Sequence, residues 1–310
     1  MSNPHLITMD WGTSSWRGVL WDRAGQVLEE RSAPQGILQV APGEFAQAWQ
    51  TLAGDWIQRG VRCCLMSGMV GSRQGWVEVP YLTCPATFES LAAQVTWLHH
   101  EELPVPVGIV AGLTTEQDGL PDVMRGEETQ IFGAAQLLNL QSATLVLPGT
   151  HSKWAQLEHG AITGFRSFMT GEVYALLRQH SILARLMPKI EEDTLVEEAF
   201  VQGLRNAQKG PLLSVLFSAR TLGLIDRIDQ IDRMAPQALP SYLSGMLIGH
   251  EMSQLAEVVR RADSPLVVVG TAALVLRYRL AAKEFGHECI EPHGNAAAVG
   301  LWRLASLLKL

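Results

Sequence analysis

The stretch "LITMDWGTSSWRGVLWD", residues 6–22, decides the architecture. An apolar run stops at Asp10, a Gly-Thr-Ser-Ser turn follows, and a second alternating run leaves it. That pattern reads as two strands joined by a turn that carries one carboxylate and three hydroxyls. Working outward, Asp22 to Gly25 supply turn chemistry and residues 27–33 read as a third strand. The pattern restarts in "ATLVLPGTHSKWAQLEHGAITGFRSFMTGE", residues 143–172, again as strand, turn, strand, turn and strand. Placing Gly12 on Gly149 puts Thr13 on Thr150 and Ser15 on Ser152. Gly, Thr and Ser are common in turns, so the letters alone would mean little. The matched strand context makes them a repeat.

The segments between and after the two copies alternate in period. Residues 43–57 have apolar positions at Phe45, Ala48, Trp49, Leu52 and Trp56, which is helical spacing. "VRCCLMSGMV" reads as a buried strand ending at Ser67-Gly68, residues 75–86 as extended, "PVPVGIVAGL" as a further strand, and "EETQIFGAAQLLNL" as a helix. After a mostly helical stretch from about 172 to 262, "SPLVVVGTAALVLRYRLA" gives a strand, a tight turn and a helix. "HECIEPHGNAAAVGLWRLASLL" closes the chain with a short strand, a loop and a helix. Two similar halves, divided near residue 140, imply an α/β architecture with a cleft between domains.

The bulk composition narrows the class. With 47% hydrophobic and 18% charged residues, the 310-residue chain can build large cores and is not disordered as a whole. A net charge of -7 argues against nucleic acid as a partner. No run approaches the ~20 apolar residues of a membrane span. No basic segment leads into an apolar stretch at the N-terminus, so the expectation is a cytoplasmic protein. Cys63, Cys64, Cys84 and Cys289 lack zinc or redox spacing and read as reduced. Nine tryptophans and the apolar region near 212–225 fit either buried core or a homodimer surface.

"MDWGTSSWRG" resembles the first phosphate loop of the actin, Hsp70 and sugar-kinase superfamily, "LPGTHSKW" its second, and "VVVGTAALVLRY" its adenosine-side strand, turn and helix. Together with "MSGMVGSRQGW", "DVMRGEETQIFGA" and "FMTGEVYALL", these segments are similar, in order and over nearly the whole chain, to the 2-dehydro-3-deoxygalactonokinases. The resemblance implies two RNase H-like (actin/hexokinase-type) domains facing each other across a nucleotide cleft. Residues 1–140 would carry the sugar-acid site, and residues 141–310 the ATP site with a helical insertion. It also implies an ATP-dependent kinase that phosphorylates the 6-hydroxyl of 2-dehydro-3-deoxy-D-galactonate, with Mg²⁺ as the companion ion.

Under that resemblance each segment has a physical task. Asp10 would hold Mg²⁺, a hard cation that suits oxygen ligands, while Gly12, Thr13, Ser14 and Arg17 face the phosphates. Gly149, Thr150, Ser152 and Lys153 would receive the phosphates from the other domain, Lys153 standing equally well as a solvated lysine. Gly270 and Thr271 would pass close to the adenosine. The chain has no GxxxxGK[ST] loop in any register, so the two Gly-Thr turns have to do that work.

A sugar kinase needs a base for the attacking hydroxyl. Gly126-Glu127 resembles the Gly-Asp pair that carries it in related kinases, but the acid is Glu and the spacing to Gly133 is one residue short. Asp122 therefore remains a competitor. Ser67, Ser72, Arg73 and Gln74 would bind the sugar acid, with Arg73 suited to grip its carboxylate. Arg125 would pair with a glutamate or bind the same carboxylate, and Thr170 reads as a helix N-cap. Two other readings stay open: a kinase for another sugar or sugar acid, and an actin-like nucleotide-dependent interaction protein.

Overall fold

The computed structural model describes residues 3–98, 103–189, 194–225, 233–261 and 264–310. The helical expectation for residues 190–193, 226–232 and 262 lies outside these. The chain forms two compact units. Unit 1 is Met1–Ala143, Ala155–Arg166 and Pro292–Leu310, and unit 2 is Thr144–Trp154 and Ser167–Glu291. The sequence expectation assigns all of 141–310 to the second half; the chain instead returns two segments to unit 1.

Unit 1 opens with the three-stranded meander. Strands β1 (Pro4–Trp11), β2 (Trp16–Asp22) and β3 (Val27–Ala33) pair antiparallel. The turn after β2 closes because the Asp22 carboxylate accepts the backbone N–H groups of Ala24 and Gln26, both at 2.9 Å. Gly25 takes φ +82° there, and an added Cβ would meet the Trp302 ring at 2.9 Å. Helix α1 (Phe45–Gln58) buries Phe45, Trp49, Leu52, Ala53 and Trp56, the stripe its period requires. Strand β4 (Cys63–Ser67) is fully buried and runs parallel to β1, as strands covered on both faces do.

Two short strands, β5 (Leu82–Thr83) and β6 (Ala86–Thr87), lead to α2 (Phe88–Ala93) and β7 (Thr96–Leu98). The apolar run "PVPVGIVAGL" yields a three-residue strand, β8 (Val107–Ile109), parallel to β4. The sheet order is β3-β2-β1-β4-β8-β7. Next comes a hairpin, β9 (Leu113–Gln117) and β10 (Leu120–Met124), which the strand-and-helix reading of the sequence omits. Its two-residue turn is Asp118-Gly119, both at positive φ; that is the residue pair such turns prefer. Helix α3 (Glu127–Leu138) follows.

The second meander is β11 (Ala143–Leu147), β12 (Ser152–Glu158) and β13 (Ala161–Phe168). Most of β12 and β13 fall in unit 1, and unit 2 holds α4 (Thr170–His180), α5 (Glu197–Ala207), α6 (Leu212–Leu216), α7 (Ser218–Thr221) and α8 (Leu239–Arg261). Strand β14 (Leu266–Val268) lies parallel to β11, and helix α9 (Ala272–Glu284) leads from it to β15 (Cys289–Ile290), parallel to β14. One core of unit 2 gathers Val146, Trp154, Phe200, Ile248, Val268 and Tyr278.

The final helix, α10 (Ala296–Leu307), belongs to unit 1 because it packs on α3 without side chains between the backbones. A Cβ on Gly133 would come 1.8 Å from the Ala296 carbonyl, and one on Gly300 would come 2.0 Å from that of Thr129. The α5–α8 seam of unit 2 uses the same device, with Gly245 against the Phe200 carbonyl at 2.0 Å. All four cysteines are free thiols.

Candidate active site

In unit 1 the site grows from the carboxyl ends of β1 and β4, where open α/β sheets carry ligands. Asp10 sits opposite Arg17 of β2 and Ser67 of β4. The next residue after β4, Gly68, has φ +93°, and a Cβ there would lie 2.8 Å from the Trp11 carbonyl oxygen and 3.0 Å from Asp10 Oδ1. Gly126, at φ +108°, approaches Gly68 so closely that its own Cβ would reach the Gly68 Cα at 3.1 Å. Two glycines in contact therefore deliver the N-terminus of α3, and Glu127 with it, to the neighbourhood of Asp10. Burial pushes the Asp10 carboxyl up to about 6; the Arg17 charge opposes this, and the Glu127 charge adds to it.

The adjacent glutamates have opposite fates. Glu127 is partly exposed, and its Oε2 accepts the Arg125 backbone N–H at 3.0 Å. Glu128 is fully buried, its Oε2 accepts the Gly126 N–H at 2.7 Å, and its Oε1 has no hydrogen-bond partner among the described residues. Burial first, and Glu127 second, push its carboxyl up to about 8. Asp122 lies on β10, where it pairs with Thr115 across the hairpin, and its Oδ1 accepts the Val123 N–H at 2.7 Å.

The first loop is held by a strap that sequence reasoning missed. Gly12 N–H closes the turn on the Ser15 carbonyl at 2.9 Å, leaving Thr13 and Ser14 exposed. The N–H groups of Ile37 and Leu38 donate to the carbonyls of Gly12 and Thr13. Gly36 makes this possible, since a Cβ there would lie 2.2 Å from the Thr13 oxygen. Beyond the strap, Val40, Phe45, Arg73, Gln74, Trp76 and Leu98 line a cavity of about 570 Å³. Arg73 and Gln74 are exposed at the tip of a tight loop, in which Gly75 N–H donates to the Ser72 carbonyl and Trp76 N–H to that of Val70.

The other expected sugar-acid residues are engaged inside the protein. Ser72 Oγ donates to the Met69 carbonyl at 2.7 Å, and buried Ser67 accepts from Thr129 Oγ1 at 3.2 Å. Arg125 is buried, donates to the Val79 carbonyl at 2.7 Å and lies 4.3 Å above the Tyr81 ring.

In unit 2 the loops after β11 and β14 emerge side by side, with Gly270 next to Pro148. They open on a cavity of about 510 Å³, lined among others by Gly149, Ser152, Thr170, Tyr174, Ser244 and Thr271. Gly171 lets α4 seat against the loop: a Cβ there would lie 2.3 Å from the Gly149 carbonyl oxygen. Glu172 N–H donates to the Thr150 carbonyl, and the Glu172 carboxylate meets His151 Nε2 at 2.5 Å. Thr150 itself is exposed.

The pleat of β12 separates two residues that the sequence reading grouped together. Ser152 and Trp154 point toward α8, while Lys153 points to the opposite face, where its Nζ donates to Ser167 Oγ at 2.5 Å. Lys153 is buried and does not line the cavity. Thr170 is not an N-cap: Met169 precedes it as the capping position, and the Thr170 hydroxyl donates to Glu251 on α8. Glu251 is the residue sequence reasoning missed altogether. Its Oε1 accepts from Trp154 Nε1 at 2.6 Å and from Tyr278 Oη at 2.8 Å, and Tyr278 Oη lies 2.9 Å from Ser152 Oγ. Burial raises its carboxyl from the usual range, and the surrounding hydroxyl and indole donors pull it back.

The family model for 2-keto-3-deoxy-galactonokinase matches residues 10–304. The chain is 32% identical over 292 residues to the 2-dehydro-3-deoxygalactonokinase of Escherichia coli (strain K12), covering 94% of each chain. A crystal structure of a Sinorhizobium meliloti protein assigned to the same kinase activity superposes with a TM-score of 0.87 at 30% identity, covering 98% of this chain and 99% of that one. Ligand-bound xylulose kinase from Lactobacillus acidophilus, at 11% identity, covers 98% of this chain and 90% of its own with a TM-score of 0.50, which shows a shared fold. The chain belongs to the 2-keto-3-deoxy-galactonokinase family.

Proposed function

We propose that unit 1 presents the sugar acid and its base and that unit 2 holds ATP, in a kinase that phosphorylates the 6-hydroxyl of 2-dehydro-3-deoxy-D-galactonate. The kinase activity follows from family membership; the division of labour is our reading. The observation that carries it is the approach of Glu127 to Asp10 at the carboxyl edge of the sheet. Glu127 takes the proton of the acceptor hydroxyl as its oxygen bonds to the γ-phosphorus, and the bond to the ADP oxygen breaks. The exposed Arg73 grips the sugar-acid carboxylate through its planar fork.

Mg²⁺ fits the donor set. Among the described residues no group of three or more His, Cys, Asp or Glu side chains gathers as a metal cage. Mg²⁺ is commonly held by one or two carboxylates together with phosphates and water, and Asp10 supplies one. The ion would neutralise charge on the phosphates; Arg17, opposite Asp10, adds to this from the protein side. On the ATP side the loops at Gly149–Ser152 and Gly270–Thr271 border the cavity of about 510 Å³, a size that suits a nucleotide. No described helix is long and apolar enough to cross a membrane, and an ATP-consuming sugar-acid kinase of this kind acts in the cytoplasm.

The test is a coupled ATP-consumption assay with 2-dehydro-3-deoxygalactonate, 2-dehydro-3-deoxygluconate, galactonate, galactose and glycerol as acceptors. Turnover selective for the first compound is expected. ATP loss that no acceptor stimulates would contradict the reading.

A further inference from the structure

With Glu251 ionised, the proton inventory around it fixes which way two cavity hydroxyls point. An ionised carboxylate only accepts, and an indole N–H only donates. Glu251 Oε1 takes the Trp154 N–H and the single Tyr278 hydroxyl hydrogen. Tyr278 Oη, its hydrogen spent, can only accept from Ser152 Oγ, 2.9 Å away. The Thr170 hydroxyl donates to Glu251 Oε2. Both hydrogens therefore point inward, and both oxygens are left with lone pairs. Ser152 and Thr170 line the same cavity, Ser152 buried and Thr170 partly exposed, so any hydroxyl oxygen of this pair that the cavity reaches is an acceptor. A phosphate oxygen, itself an acceptor, gains nothing from them.

We propose that Glu251 is a positioning residue of this cavity: it holds Ser152 and Thr170 as hydrogen-bond acceptors, so that they take a donor of the bound nucleotide complex, either a ribose hydroxyl or a water on its divalent cation. The proposal rests on the reading that the cavity takes ATP. It also explains why one buried carboxylate ties together β12, α4 and α9, the three elements that border the loops. Networks of this kind hold their members in one geometry when every member is satisfied.

The test is titration calorimetry of ATP, with and without Mg²⁺, and of 2′-deoxy and 3′-deoxy ATP with Mg²⁺, on the full chain. The proteins are the wild type, Glu251→Gln, Tyr278→Phe and the double variant, with thermal midpoints measured in parallel. Glu251→Gln turns a donor toward Thr170, and Tyr278→Phe removes the acceptor that takes the Ser152 hydrogen. Each is expected to weaken Mg-ATP binding about tenfold, and the double variant to fall well short of the product because both act on one network.

A penalty that vanishes without Mg²⁺ identifies the cation's water as the donor; one that vanishes with a deoxy nucleotide identifies the ribose. If Glu251→Gln fails to fold, Tyr278→Phe carries the test. Wild-type affinity in the variants, a loss confined to the thermal midpoint, or fully multiplicative penalties would overturn the proposal. A wild-type protein that binds no nucleotide would instead sink the ATP reading of the cavity, and this inference with it.

Discussion

The two Gly-Thr turns are written almost alike and work differently. The first, after β1, brings its own carboxylate: Asp10 ends the strand, and the loop is strapped from outside by residues 36–38. The second, after β11, has Pro148 where the first has Trp11 and Leu147 where it has Asp10. Its acidic partners come from other elements, Glu172 of α4 on His151 and Glu251 of α8 beneath Ser152 and Thr170. The first loop thus carries its own carboxylate, while the second borrows a partly exposed one, Glu172, and a buried one, Glu251. Similar letters in a repeat mark the same turn, and the non-repeated residues decide which groups surround each copy.

That contrast can be broken at its strong end first. Asp10→Asn removes the only carboxylate of the first loop and is expected to lower kcat by about 100-fold or more, while binding of ATP alone to unit 2 stays within about twofold, as expected for uncoupled sites. Equal losses in steady-state kcat and in ATP affinity would erase the distinction between the two loops.

The helix seams offer a second comparison. Gly133→Ala puts a Cβ against the Ala296 carbonyl in unit 1, and Gly245→Ala against that of Phe200 in unit 2. Each is expected to cost about 1–3 kcal/mol of stability, read by denaturant titration; unchanged midpoints would show that the seams can open freely. Arg73→Lys sharpens the substrate side: KM for the sugar acid should rise about tenfold through loss of the bidentate fork, with KM for ATP unmoved.

The smallest effect concerns Glu128, whose folded pKa of about 8 stands above the ordinary 4.5. The folded protein then holds a proton that the unfolded chain releases, so this group's contribution is full below about 4.5 and is lost as pH rises through about 8. Glu128→Gln should leave the thermal midpoint nearly unchanged at pH 5 and raise it relative to wild type at pH 9. A parallel decline in both proteins would show that Glu128 titrates normally.

Much of this was legible because it is local. The meander, the Asp10 turn and the period of α1 need only neighbouring residues, and Gly126-Glu127 stands at the start of α3 where its letters suggest. The hairpin that carries Asp122 had a signal in Asp118-Gly119, which the alternation of strands and helices overrode. Lys153 reads as a loop residue until the register of β12 is known, because one step along a strand changes the face. Glu251 could not be found at all. Its partners Trp154 and Thr170 are 97 and 81 residues away, and nothing in "GHEMSQ" distinguishes it from a surface glutamate of a long helix.

The central claim is that Glu127, delivered by the Gly68–Gly126 contact, is the base. It is tested most directly by the kcat of Glu127→Gln and Asp122→Asn with ATP and 2-dehydro-3-deoxygalactonate. The account predicts a loss of about 100-fold to 10,000-fold in Glu127→Gln, the range of general-base removal, with Asp122→Asn close to wild type. A large loss in Asp122→Asn with Glu127→Gln still active would contradict it.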